Sequence, residues 1–226
     1  MIGIGITTYN RNELLMECLK KIEQHTKSEY KIYIASDSDH DRKGVAYRKN
    51  QCLKHLQDCD YIFLFDDDCY PKKDGWEEYI IYMSKKTGNH HFCYNKEPFC
   101  KIQQSMIING ESIDCFDASG GVLLFYTKEA IERVGAFYGG YYRYGYEHIG
   151  HTIRIFKAGM TCDFFPCPDA MSDYIYSLDY EESGFFLDKS TISQDEKFSL
   201  TEKNKKVWLQ QDQEIYIPID DEKNFV

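Results

Sequence analysis

Ile2, Ile4 and Ile6 alternate with Gly3, Gly5 and Thr7, the period-two pattern of a strand, and the run stops at Thr8-Tyr9-Asn10. Asn10 followed by Glu13 has the spacing of a capping box, and Leu15, Cys18, Leu19 and Ile22 then repeat at helical spacing, which predicts a helix. Tyr30, Ile32 and Ile34 predict a second strand that ends in the polar loop Ser36–Asp41, and Gly44–Leu56 reads as a second helix. Tyr61–Phe65 is a continuous apolar run of the kind buried on both faces of a parallel sheet, with Asp66-Asp67-Asp68 at its carboxyl end. Strand, helix, strand, helix, strand implies right-handed βαβ units in a doubly wound α/β sheet. Ligands of such sheets bind beyond the carboxyl ends of the strands, where Thr8–Arg11, Ser36–Asp41 and Asp66–Asp68 all fall.

Further along, Trp76 opens another predicted helix, after which the chain to Asn109 reads as irregular. Asp117–Gly121 predicts a tight loop entering a strand at Val122–Tyr126, and Lys128–Val134 a helix stopped by Gly135. The glycines and tyrosines of Tyr138–Tyr146 predict a hinged segment that orders over a bound ligand. Glu147–Ala158 reads as a helix stopped by Gly159, with Ile149, Ile153 and Phe156 on the face expected to anchor it and Glu147, His151 and Arg154 on the other. Past Asp179 the chain turns polar, with one more helix predicted near Glu202–Gln211. The expected organisation is one α/β domain over residues 1–178 and a C-terminal extension over 179–226 that packs on or near it and is a candidate oligomer contact.

Composition narrows the function classes. The 226 residues carry a net charge of −10, which argues against tight nonspecific nucleic-acid binding. The 19 tyrosines and 14 phenylalanines supply core volume and site walls. The longest apolar runs, Tyr61–Phe65 and Gly120–Tyr126, are far shorter than a membrane span requires. The amino terminus lacks the basic-then-apolar pattern of a secretion signal, so a cytoplasmic protein is expected. Nine cysteines, none spaced C-x-x-C, then read as buried thiols.

Three consecutive carboxylates at the end of a buried strand repel one another, so a positive group belongs beside them. A divalent cation with oxygen ligands is the simplest candidate, the plain alternative being a solvated acidic turn. In extended backbone Asp66 and Asp68 point to one side and Asp67 away.

The segments Ile4–Leu19, Asp37–Asn50, Tyr61–Asp68, Gly120–Phe137 and Tyr144–Gly159 together resemble, in the right order and across about residues 1–165, a family 2 glycosyltransferase. That family's fold, GT-A, has a Rossmann-like, mostly parallel central sheet flanked by helices; here a polar C-terminal appendage would follow it. The resemblance implies a hexosyltransferase-type enzyme that moves a sugar from a nucleotide-diphosphate sugar, expected to be a UDP-sugar, to an acceptor hydroxyl with inversion. It implies that Thr8, Tyr9, Arg11, Asp37 and Arg48 serve the nucleoside pocket, and that Asp66, Asp67 and Asp68 form the DXD segment. Asp66 and Asp67 would then meet the donor, and Asp66 and Asp68 a manganese or magnesium ion. His148 or His151 would complete the metal shell, with His151 preferred, or else a later acid such as Asp173. Glu147 falls where the family carries its catalytic carboxylate, and His148, where the family has Asp or Asn, either tunes Glu147 or takes the proton itself. A nucleotidyltransferase would instead need a basic glycine-rich loop after the first strand, where Thr8–Arg11 stand. An inactive module that holds carbohydrate on its tyrosines is the remaining alternative.

Overall fold

The computed structural model describes residues 1–181, 192–210 and 215–220. Strand β1 (Ile2–Tyr9) is followed by helix α1 (Asn12–His25), β2 (Tyr30–Asp37), α2 (Val45–Leu56) and β3 (Tyr61–Asp66). Next come β4 (Cys69–Pro71), α3 (Trp76–Thr87), β5 (His91–Cys93), β6 (Ile102–Ile108), β7 (Glu111–Phe116), β8 (Leu123–Thr127) and α4 (Lys128–Val134). The chain then forms α5 (Glu147–Lys157), β9 (Pro166–Pro168), α6 (Met171–Tyr174), β10 (Ile175–Ser177), α7 (Leu178–Glu181) and α8 (Gln194–Gln210).

The central sheet has the order β2-β1-β3-β8-β5. β1 pairs in parallel with both β2 and β3, while β8 runs antiparallel to β3 and β5. The sheet is therefore mixed but mostly parallel, with one reversed strand. Ile4, Ile6, Phe63 and Phe65 are buried, as strands covered by helices on both faces require. The glycines between the isoleucines of β1 let α2 approach: a Cβ on Gly5 would lie 2.7 Å from the side chains of both Cys52 and Leu64. All nine cysteines are free, eight of them buried, as expected of thiols used for packing.

Four features depart from the sequence expectations. Helix α1 is capped at Arg11 without a side-chain bond, because Asn10 takes a left-handed φ of 52° and donates to Asp39 instead of closing a capping box. The stretch read as irregular holds the β6–β7 hairpin, which pairs with β9 in a second, antiparallel sheet. Its turn is Asn109-Gly110, both with positive φ, a hairpin signal the sequence does carry.

The edge strand β2 turns Ile32 and Ile34 outward and Ala35 and Asp37 inward. In α5 the burial is the reverse of that expected: Glu147, His151 and Arg154 are buried, whereas Ile149, Ile153 and Phe156 are only partly so. The reason is the end of α4, whose terminal carbonyls need donors. Arg154 donates to Val134 O at 2.9 Å and to Ala136 O, and His151 Nε2 donates to Gly135 O at 2.9 Å.

Candidate active site

Beyond the carboxyl ends of β1, β2 and β3 lies a cleft of about 540 Å3. Thr8, Tyr9, Arg11, Asp37, Arg48, Asp66, Asp68, Glu147 and His148 all line it, brought together from four separate segments. Asp67 and His151 do not line it.

The loop after β2 is built around Asp37. Its carboxylate accepts from the backbone of Lys43 at 2.8 Å and Gly44 at 2.9 Å, and from Arg48 Nε and Nη2 at 3.1 and 2.9 Å. Arg48 also donates to Asp41, so the buried pair fixes the loop that starts α2. Across the opening, Tyr9 donates to Asp39 at 2.6 Å and lies under the Arg42 guanidinium, 4.6 Å from its ring centre.

Positive charge beside the three aspartates comes from the protein itself. Arg11 spans Asp67, through Nε at 3.2 Å and through Nη2, and Asp68, through Nη1 at 2.7 Å. Asp67 turns inward to accept from Thr8 Oγ1 at 2.5 Å, and burial pushes it up to about 7 even against Arg11. Asp66 accepts from Thr7 Oγ1 at 3.0 Å through Oδ1, with Lys49 Nζ 3.8 Å from the same oxygen. Among the described residues no hydrogen bond reaches Asp66 Oδ2 or Asp68 Oδ1. Asp66 and Asp68, hard carboxylate ligands that both line the cleft, are the residues that would hold a manganese or magnesium ion, which would supply positive charge to a phosphate-bearing ligand. A third protein ligand is not at hand, since among the described residues no three His, Cys, Asp or Glu side chains come together to hold a metal.

His151 in particular is placed elsewhere. It is buried, stacked on Phe137 and within 3.2 Å of Tyr126 Oη, and desolvation holds its ring well below the ordinary histidine range. It closes the end of α4 rather than reaching the aspartates. Asp173 is exposed and outside the cleft, whereas Asp179, from α7, lines it. Burial, then Asp68 and Asp66, push Asp179 up to about 6.

On the opposite wall, Glu147 begins α5 with its carboxylate buried. Oε1 receives His148 Nδ1 at 3.0 Å and lies 3.5 Å from Lys49 Nζ. Burial alone would raise this carboxyl; His148 and Lys49 outweigh it and hold Glu147 down to about 2. His148 Nε2 donates to Ser119 O at 2.7 Å, so both ring nitrogens face acceptors. The loop before β8 allows this because Gly121 has φ +71° and no side chain: a Cβ there would lie 2.7 Å from the His148 ring.

Sequence reasoning passed over Lys49, Arg42, Asp179 and the contributions of α8. Lys49 had a signal: Lys49, Cys52, Leu53 and Leu56 share one stripe of α2 at helical spacing, and all four are buried. Lys197 and Thr201 of α8 line the cleft, and Lys197 feels the charges of Asp179 and Asp68. Asn204, also of α8, bonds the backbone of Tyr142, Tyr144 and Gly145, so the segment read as a hinged lid is tied to this helix.

No protein family's sequence profile matches the chain. It is 26% identical over 159 residues to an uncharacterized glycosyltransferase of Acanthamoeba polyphaga mimivirus, a match that takes in 66% of this chain. The match spans only 60% of that curated relative's length. Among solved structures it resembles a mannosyltransferase from Pyrobaculum calidifontis in complex with GDP-Man and Mn2+, with a TM-score of 0.55 and 14% identity over 74% of this chain and 55% of that one. It also resembles a mutant Drosophila β1,4-galactosyltransferase 7 in complex with manganese, UDP-Gal and xylobiose, with a TM-score of 0.56 and 15% identity over 97% of this chain and 83% of that one. The strand order, the cleft beyond β1 to β3 and these likenesses establish that this chain has the GT-A glycosyltransferase fold.

Proposed function

We propose that this chain is a metal-dependent glycosyltransferase that moves a sugar from a UDP-sugar to an acceptor hydroxyl with inversion at the anomeric carbon. The observation that carries the reading is the pairing of two walls of one cleft: Asp66 and Asp68 at the end of β3 on one side, Glu147 at the start of α5 on the other. The relative and the two solved structures named above support it, as glycosyltransferases, two of them with a nucleotide sugar and manganese bound.

In this reading Thr8, Tyr9 and Arg11 border the nucleoside, and Asp37 with Arg48 keeps the loop beneath it in shape. Asp66 and Asp68 would hold the cation, which would neutralise charge on the departing diphosphate. Asp67 contributes by fixing Arg11 and Thr8 rather than by touching the donor. Glu147 accepts the proton of the acceptor hydroxyl as the new carbon–oxygen bond forms and the bond to the diphosphate breaks. His148, locked between Ser119 and Glu147, orients that carboxylate. No helix among the described residues is long and apolar enough to cross a membrane.

Titration calorimetry with UDP, with and without manganese, tests the donor half. Affinity that depends on manganese, together with release of UDP from a UDP-sugar, is expected; binding of UDP indifferent to any divalent cation overturns the metal role.

A further inference from the structure

The side chain that joins the two walls is Lys49. It is 1% exposed on the buried stripe of α2, and it is not itself among the residues that line the cleft, although Asp66 and Glu147 beside it are. Its Nζ donates to Gly121 O at 3.1 Å and lies 3.5 Å from Glu147 Oε1 and 3.8 Å from Asp66 Oδ1. An ammonium has three donors and no acceptor, and here three acceptors surround it: one from the loop before β8, one from α5 and one from β3. A buried cation is costly unless paired, and this one is shared between two carboxylates that belong to opposite halves of the cleft. Neighbouring Asn50 fixes the helix that carries it by exchanging bonds of 2.9 and 2.8 Å with Phe137 O and N.

We propose that Lys49 is the positioning residue of the transfer reaction, its ammonium anchoring Glu147 on the acceptor side while sharing its charge with Asp66 on the donor side. The proposal rests on the glycosyltransferase reading above. Lys49 is buried and does not line the cleft, so it acts through Glu147 and Asp66 and not on substrate. Two consequences have opposite signs. A cation bound at Asp66 and Asp68 has to share Asp66 with the ammonium, so removal of Lys49 strengthens cation binding. Glu147 loses its anchor on the same substitution, so transfer slows. Damage to the fold would weaken both.

The test compares wild type with Lys49→Met, close in length and uncharged, and Lys49→Arg, which keeps the charge. Calorimetry with manganese alone should show about threefold or tighter binding in Lys49→Met and near wild-type binding in Lys49→Arg, as expected for removing one charge next to the site. Turnover of a UDP-sugar should fall about tenfold or more in Lys49→Met with KM for the donor little changed. Adding Lys49→Met to Glu147→Gln should cost little further turnover, because the loss in turnover comes through Glu147, whereas the effect on Asp66 is read in manganese binding. Weaker or unchanged manganese binding in Lys49→Met overturns the proposal, as do additive losses in the double variant. If wild type turns over no nucleotide sugar, the glycosyltransferase reading fails by itself, and the manganese comparison still decides whether Lys49 charges the donor side. Lys49→Gln is read in the same way if the methionine variant does not fold.

Discussion

Asn204 and Tyr142 exchange two hydrogen bonds: Tyr142 N donates to Asn204 Oδ1 at 2.7 Å, and Asn204 Nδ2 donates to Tyr142 O at 3.1 Å. The same amide group reaches Tyr144 O and Gly145 O, each at 2.8 Å. One buried side chain of α8 thereby takes up four backbone groups of the segment that forms the rim of the cleft. Asn204→Ala leaves them without partners and should cost at least about 2 kcal/mol of stability. Hydrogen exchange of the amides in Tyr142–Tyr146 should accelerate in this variant more than exchange in β1 or β3. Equal protection in variant and wild type would show that the tether does not restrain the rim.

Asp68→Asn should abolish manganese-dependent UDP binding and leave the fold intact. Asp68 accepts from Arg11, but Arg11 keeps its two contacts to Asp67, so the guanidinium stays paired. Calorimetry with UDP and manganese reads the loss, and a thermal melt within a few degrees of wild type reads the intact fold. Unchanged affinity would remove Asp68 from the metal site.

Glu147→Gln should keep donor affinity and lower turnover by about 100-fold or more, the contribution of a positioned base. Glu147 is held down to about 2, below the ordinary glutamate value of 4.5, so it stays ionised throughout the neutral range. Its stabilising contribution is present above about pH 4.5 and is lost as the pH falls towards 2. The rate profile should accordingly show no acid limb from Glu147 between pH 5 and 8. Near wild-type turnover in the variant on a true acceptor, with His148→Ala inactive, would move the base to His148.

Gly121→Ala should slow turnover by about 10–100-fold, through displacement of His148 and the carbonyl that holds Lys49. Its φ of +71° and the 2.7 Å approach to the His148 ring leave no room for a methyl group. Steady-state kinetics should show the loss in kcat with the donor KM little altered; a fall confined to KM would place the loop on the donor side instead.

Stability should decline below pH 6.5 because of His91. This ring is fully buried, bonded to Phe125 O at 2.7 Å and Thr152 Oγ1 at 2.8 Å, and desolvation pushes it down to about 3 from an ordinary 6.5. In the folded protein it stays neutral while the unfolded chain takes up the proton. The unfolded state therefore binds more protons between pH 6.5 and 3, and stability falls as the pH falls, by about 1.4 kcal/mol per unit for this one group. Urea unfolding at pH 7 and pH 5 measures the slope, and His91→Gln should flatten it; an identical slope in the variant would assign it to other groups.

Periodicity alone determined the βαβ start of the chain, because β1, β3, α1 and α2 are each long enough for their own spacing of apolar residues to define a buried face. The placement of Thr8, Tyr9, Arg11, Asp37, Asp66 and Asp68 around one cleft followed from strand ends in a parallel sheet, a rule that needs only the order of elements, whereas Arg48, inside α2, was expected there only from the family resemblance. What the spacing could not decide was which face of α5 turns inward. Amphipathic spacing alone would bury Ile149, Ile153 and Phe156; in this fold the carbonyls of Val134, Gly135 and Ala136 take bonds from Arg154 and His151, and that face, with Glu147 and His148, turns inward. The same holds for the charge beside the three aspartates. Local sequence shows only their mutual repulsion, whereas Arg11 and Lys49 arrive from separate helical segments and are matched to carboxylates more than a dozen positions away. Hydrogen-bond demand and charge pairing between elements distant in the chain are satisfied only once those elements pack, so the tertiary structure, and not the pattern along the chain, settled them.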